Sequence, residues 1–149
     1  MQTQPDLASR PHSLSVELTV TLPPSVVFRA WTENLDQWFA APGTLLMKPV
    51  VDSPFFFETR FEGQRHAHYG RYLRIEPDAL IELTWVTGNP GTMGAETVLT
   101  VELSPLQDGT SVHLTHAGFS DEESRDGHEE AWPLVFDHLD QCMSKISAS

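Results

Sequence analysis

Towards the carboxyl end the apolar residues settle into a helical period. Trp132, Val135, Phe136, Leu139, Cys142, Met143 and Ile146 recur at three- and four-residue spacing, which places them on one face of an amphipathic helix. A helix with one apolar stripe must cover another layer. The residues before it alternate instead, with the period of strands. Such a chain has to become a sheet with a long helix laid on it.

The clearest alternation is "SLSVELTVTL". Leu14, Val16, Leu18, Val20 and Leu22 share one face, while Ser15, Glu17, Thr19 and Thr21 share the other, the pattern of a half-buried strand. Pro23-Pro24 ends it. "SVVFRAWT" follows as a short helix with proline near its start, and "ENLDQWFA" as a second short helical piece with Leu35, Trp38 and Phe39 on one side. Six further strands are predicted at 44–51, 55–61, 66–76, 79–86, 95–104 and 110–116. Their connections, "DSP", "EGQR", "EPDA", "GNPGTMG" and "PLQDG", are mostly of hairpin length, which predicts an antiparallel meander. The expected fold is α+β: seven antiparallel strands around the terminal helix, with two short helices after the first strand. Residues 1–12 are polar, carry Pro5 and Pro11, and read as a loose tail; 13–149 read as one domain.

Charge and cysteine content exclude several classes. The formal charge is −12 with scattered basic residues, which disfavours nucleic acid and anionic membranes because phosphates reward clustered Lys and Arg. No apolar run approaches the roughly 20 residues of a membrane span, and the amino terminus lacks the apolar centre of a signal peptide. A cytoplasmic location follows by default. Cys142 is the single cysteine, so there is no internal disulfide or multi-cysteine metal cage. On the helix stripe, with no evident base beside it, it reads as an inert core thiol.

Three longer motifs carry a resemblance: "PPSVVFRAWTENLDQWF", "YGRYLRIEPDALIELTW" and "LTHAGFSDEESRDGHEEAWPLVFDHL". Together they span nearly the whole chain from Ser13. The chain resembles the SRPBCC or START-like superfamily, and within it the branch of heat-shock-protein-90 ATPase activator homologues. The resemblance implies a helix-grip fold, a curved sheet enclosing a cavity under the last helix, and an apolar or aromatic small ligand in that cavity. It also implies two alternatives: a cyclase- or dehydratase-type enzyme with a cavity histidine as general base, and a module that stimulates a chaperone ATPase in a stress response.

The run from His116 to Trp132 is the densest in polar chemistry. "HEEAW" is not H-E-x-x-H, and His116 and His128 lie on different elements, so no metal and no cofactor is expected. Ser120 and Glu123 fit a capping box. Asp121 and Glu122 suit the positive end of a helix, and Gly127 is expected to end a short turn before the long helix. Pro133 belongs in that helix's first turn or at a kink.

Strand parity turns His113 outward and His116 inward with Val112 and Leu114; His128 precedes Trp132 by four and joins its stripe. Two readings of these histidines stay open. They either pin strand to helix through buried hydrogen bonds, or offer polar contacts to a ligand. A cavity would be lined where bulky groups from different elements meet, at Trp38, Phe57, Trp85, Trp132 and Phe136. Phe55, Phe57, Thr59 and Phe61 share one strand face. On "RHAHYGRYLRI" the parity is ambiguous: either His66, His68 and Tyr72 face inward, or Tyr69, Leu73 and Ile75 do, and Gly70 suggests a bulge. An inward His68 and Tyr72 would give the cavity a polar wall.

Overall fold

A computed structural model describes residues 4–88 and 91–148, and side chains up to Lys145. The element order is β1 (His12–Val20), α1 (Pro24–Thr32), a single 3-10 turn (Leu35–Gln37), β2 (Pro54–Phe61), β3 (Gln64–Glu76), β4 (Leu80–Trp85), β5 (Thr97–Leu106), β6 (Gly109–Phe119) and α2 (Glu122–Ala148). The strands form one sheet in the order β1-β6-β5-β4-β3-β2, antiparallel at every pairing. The meander is as expected, and β1 closes it by pairing with the last strand. β1 packs beside α2, and just past the strand's end the Asp140 carboxylate accepts from the Thr21 amide and hydroxyl.

The sheet has six strands, not seven. Residues 44–51 form no strand; only Leu46 bridges to Phe56. Pro49 has no N–H to give a ladder, and Asp52 turns the chain at φ 70°. The segment instead shields the outer edge of β2. Thr44 Oγ1 donates to the Ala41 carbonyl at 2.7 Å and accepts from the Glu58 amide at 3.0 Å. The second short helix likewise shrinks to the 3-10 turn.

α1 and that turn fill the space between sheet and α2. Val27, Ala30, Trp31 and Leu35 are fully buried. Trp31 is the hub, with ring centroids 5.3 Å from Trp38, 6.2 Å from Trp85, 6.1 Å from Trp132 and 5.9 Å from Phe136. Each such aromatic burial stabilises by about 1.5–3 kcal/mol.

The long helix starts earlier than expected and runs unbroken through Gly127 and Pro133. Its cap is Asp121, not Ser120: the Asp121 carboxylate accepts from the Ser124 amide at 2.8 Å, which together with the Ser124 hydroxyl holds the carboxyl below its usual range. A glycine in a helix costs only about 1 kcal/mol, less than burying Trp132, Phe136, Leu139 and Met143 returns. Ile146 lies outside the described side chains. Cys142 is half-buried, and a histidine does sit beside it, His138 Nε2 at 3.4 Å, one helical turn away.

Gly70 marks no bulge. The register shift on β3 falls between Tyr72 and Arg74, which lets Tyr72 and Ile75 both turn inward. Gly70 is instead a close approach: a Cβ there would lie 2.2 Å from the Thr84 carbonyl oxygen. At the other end of the chain, Arg10 donates to the carbonyls of Gly118 and Glu96, both at 2.7 Å, tying residues ahead of β1 to the sheet.

Candidate functional site

A pocket of about 540 Å³ opens where the β2–β3 hairpin, the end of β4, the 87–94 loop and α2 meet. Its apolar walls come from Phe39, Trp85, Trp132 and Val135, and its polar edges from Thr59, Arg65, His66, His68, Thr87 and His128. Of the residues predicted to line a cavity, His68, Trp85, His128 and Trp132 lie on this wall. Trp38, Phe57, Tyr72, His116 and Phe136 sit behind it in the core.

The inward set on β3 is His68 and Tyr72, with His66 half-buried at the rim. Opposite His68 in the ladder stands Phe57, and the two rings stack at 4.8 Å and 14°. Trp85 and Phe39 meet His68 edge-on at 5.3 and 5.7 Å. Within this box His68 Nδ1 lies 3.1 Å from the His66 carbonyl oxygen. A carbonyl only accepts, so Nδ1 carries the proton and Nε2 keeps its lone pair. Burial pushes the imidazole down to about 4, because the cation would lose its hydration. Tyr72 is spent on structure: its hydroxyl donates to the Trp31 carbonyl at 3.1 Å, and burial raises its phenol above the usual range.

His116 is also spent. Its Nδ1 accepts from the Trp132 indole N–H at 3.1 Å, and its Nε2 lies 2.7 Å from Thr97 Oγ1. The Thr97 hydroxyl donates to the Trp85 carbonyl, so Nε2 must be the donor in the contact with Thr97. A chain of donors thus runs from Trp132 through His116 and Thr97 to Trp85, linking α2, β6, β5 and β4. It fixes His116 as neutral, and burial drives its ring well below the ordinary histidine range. His113 points outward as expected, 2.8 Å from Ser15 Oγ and 3.3 Å from Glu102.

His128 completes the arrangement. Its Nδ1 donates to the Ser124 carbonyl one turn back at 2.8 Å, which again leaves Nε2 as the acceptor. Burial lowers its pKa as well. Its ring packs edge-on to His116 at 5.1 Å and lies 6.4 Å from Trp132, which in turn is 5.8 Å from Trp85. A second hollow on its far side is edged by Met93, Asp121 and Glu123.

The rest of the wall was not anticipated as such. Phe39 and Val135 are apolar positions on helical faces, and nothing in the sequence assigns them to a cavity. The 87–94 loop had only turn signals, yet it is braced by a reciprocal pair: the Thr87 amide donates to Thr92 Oγ1 at 2.9 Å and the Thr92 amide to Thr87 Oγ1 at 2.8 Å. Asn89 and Pro90, within the predicted "GNPGTMG" connection, lie outside the described residues. Phe61 is 67% exposed at the hairpin end, so the face it shares with Phe55 and Phe57 leaves the core there. No group of three or more metal-ligating side chains occurs among the described residues, and no described helix is long and apolar enough to cross a membrane.

A six-stranded antiparallel sheet, a short helix after the first strand and a long terminal helix packed on the sheet define a member of the SRPBCC superfamily. A family model described as "Activator of Hsp90 ATPase homolog 1-like protein" matches residues 21–144, and the chain belongs to that family. Among solved structures, a protein of Mesorhizobium loti is similar at TM-score 0.74 and 23% identity, covering 90% of this chain and 98% of that one. A protein of Chromobacterium violaceum is similar at 0.74 and 23%, over 89% and 98%. The Aha1 dimer from Colwellia psychrerythraea is similar at 0.67 and 18%, over 89% and 96%. At these identities the likeness is one of fold. A search of curated proteins finds none that matches.

Proposed function

We propose that this protein binds a small apolar or aromatic molecule in the pocket between the β2–β3 hairpin and α2. The observation that carries this reading is the wall itself, with Phe39, Trp85, Trp132 and Val135 around a space of about 540 Å³. That is within the usual size range of ligand sites, and among its polar groups His68, Thr87 and His128 are held in place by bonds to backbone. The helix-grip reading of the fold agrees with it, since such a fold leaves room under its last helix.

Catalysis by a cavity histidine has less support. His116 has both nitrogens engaged, and a ring held near 4, like that of His68, is a weak base at neutral pH. The family description favours one other reading, a module that stimulates a chaperone ATPase. Its test is a steady-state ATPase assay with the purified chaperone, in which no stimulation at saturating protein removes it.

Displacement of an apolar fluorescent dye, followed by native mass spectrometry, tests the binding reading. The expected result is one molecule bound per chain, lost in Ala131→Trp, which places an indole at the pocket wall. Dye binding unchanged in that variant would put the ligand elsewhere.

A further inference from the structure

Resting on that binding reading, we infer that the pocket selects an uncharged aromatic molecule carrying an O–H or N–H donor, received by Nε2 of His68 or Nε2 of His128.

The argument is one of tautomers. Each imidazole spends its Nδ1–H on a backbone carbonyl, His66 for one and Ser124 for the other. Each therefore presents Nε2 as a bare lone pair. Neither Nε2 has a protein partner among the described residues, yet neither is sealed in the core, where the only unpartnered buried side-chain atom described is Trp31 Nε1. Both residues line the same pocket, with Trp85 and Trp132 on its wall. The third histidine, His116, has no free nitrogen to offer.

Two fixed acceptors in an apolar wall discriminate by hydrogen-bond sign. A phenol O–H or a ring N–H pairs with one of them. An ether or N-methyl group of similar shape leaves a lone pair desolvated and unpaired. A carboxylate sets negative charge against lone pairs, and the one arginine or lysine among the described wall residues, Arg65, is exposed at the β2–β3 end. Burial keeps both rings neutral at physiological pH, so neither becomes a donor instead.

The test is calorimetric titration with matched pairs: phenol and anisole, naphthol and methoxynaphthalene, indole and N-methylindole, plus naphthoate. The donor-bearing member of each pair is expected to bind about five- to tenfold more tightly. That margin should shrink in His68→Leu or in His128→Leu and disappear in the double variant, while the methylated member changes little. If both members of every pair bind equally, or naphthoate matches naphthol, the inference is overturned and the binding reading stands. If no compound binds while the Trp132 indole N–H signal stays native-like, both are overturned.

Discussion

The indole N–H of Trp132 donates to Nδ1 of His116 across 3.1 Å, and that bond decides what the other histidines can do. It takes the innermost imidazole out of any ligand chemistry and makes it the clasp between α2 and the sheet. His128, one turn earlier on the same helix, is left at the pocket with a free nitrogen.

The clasp has a spectroscopic and an energetic signature. Nitrogen-15 spectra should show His116 protonated on Nε2, and His68 and His128 on Nδ1. His116→Leu strands the Trp132 donor in the core and should cost about 2–4 kcal/mol in urea unfolding. A loss under about 0.5 kcal/mol would mean the chain of donors holds nothing.

Acid should weaken the fold through the same residues. Unfolded histidines take up protons near 6.5, whereas folded His68 resists until about 4 and His116 and His128 are also depressed. Between those values the unfolded state binds more protons. The stability is therefore complete above 6.5 and is lost as pH falls through the window, at up to about 1.4 kcal/mol per pH unit for each histidine. Urea midpoints measured across that range should flatten in the His68→Leu, His128→Leu double variant. An unchanged slope contradicts the assignment.

Gly70→Ala should be costly although glycine is not there for a turn. The added Cβ meets the Thr84 carbonyl oxygen at 2.2 Å, backbone that cannot step aside without parting β3 from β4. A loss of at least about 2 kcal/mol is expected, lowering Tm by about 5–10 °C. A thermal scan matching the parent would show that the sheet yields at this point.

His113→Ala is the contrasting case. Its partners Ser15 and Glu102 are both on the exposed face, and exposed pairs are worth about 0–1 kcal/mol. Denaturant midpoints should barely move, and a cost like that of His116→Leu would contradict the inward–outward parity of β6.

That parity was legible in the sequence, as were the α2 stripe, the β1 alternation and the meander, because each is written in one element's own period. The features that escaped depend on neighbours. Residues 44–51 have strand-like side chains, but Pro49 and the turn at Asp52 confine them to guarding an edge. Asp121 and Ser120 are both sound caps, and only the loop's path chooses between them. Gly127 reads as a stop, and burial of the stripe overrides it. The pocket was half legible: His68, Trp85, His128 and Trp132 could be named, since bulky and polar residues share their faces. Which histidines keep a free nitrogen could not, because that rests on Trp132, Thr97 and the backbone carbonyls of His66, Trp85 and Ser124, brought to the histidines from β3, β4, β5 and α2.

The most direct test is a titration of the intact chain and of Ala131→Trp with naphthol, followed by calorimetry and by nitrogen-15 shifts of the histidines. The account predicts binding of one molecule per chain, with the Nε2 signal of His68 or of His128 moving, His116 still, and no binding in the variant. Binding that leaves both Nε2 signals in place, or survives Ala131→Trp, would contradict it.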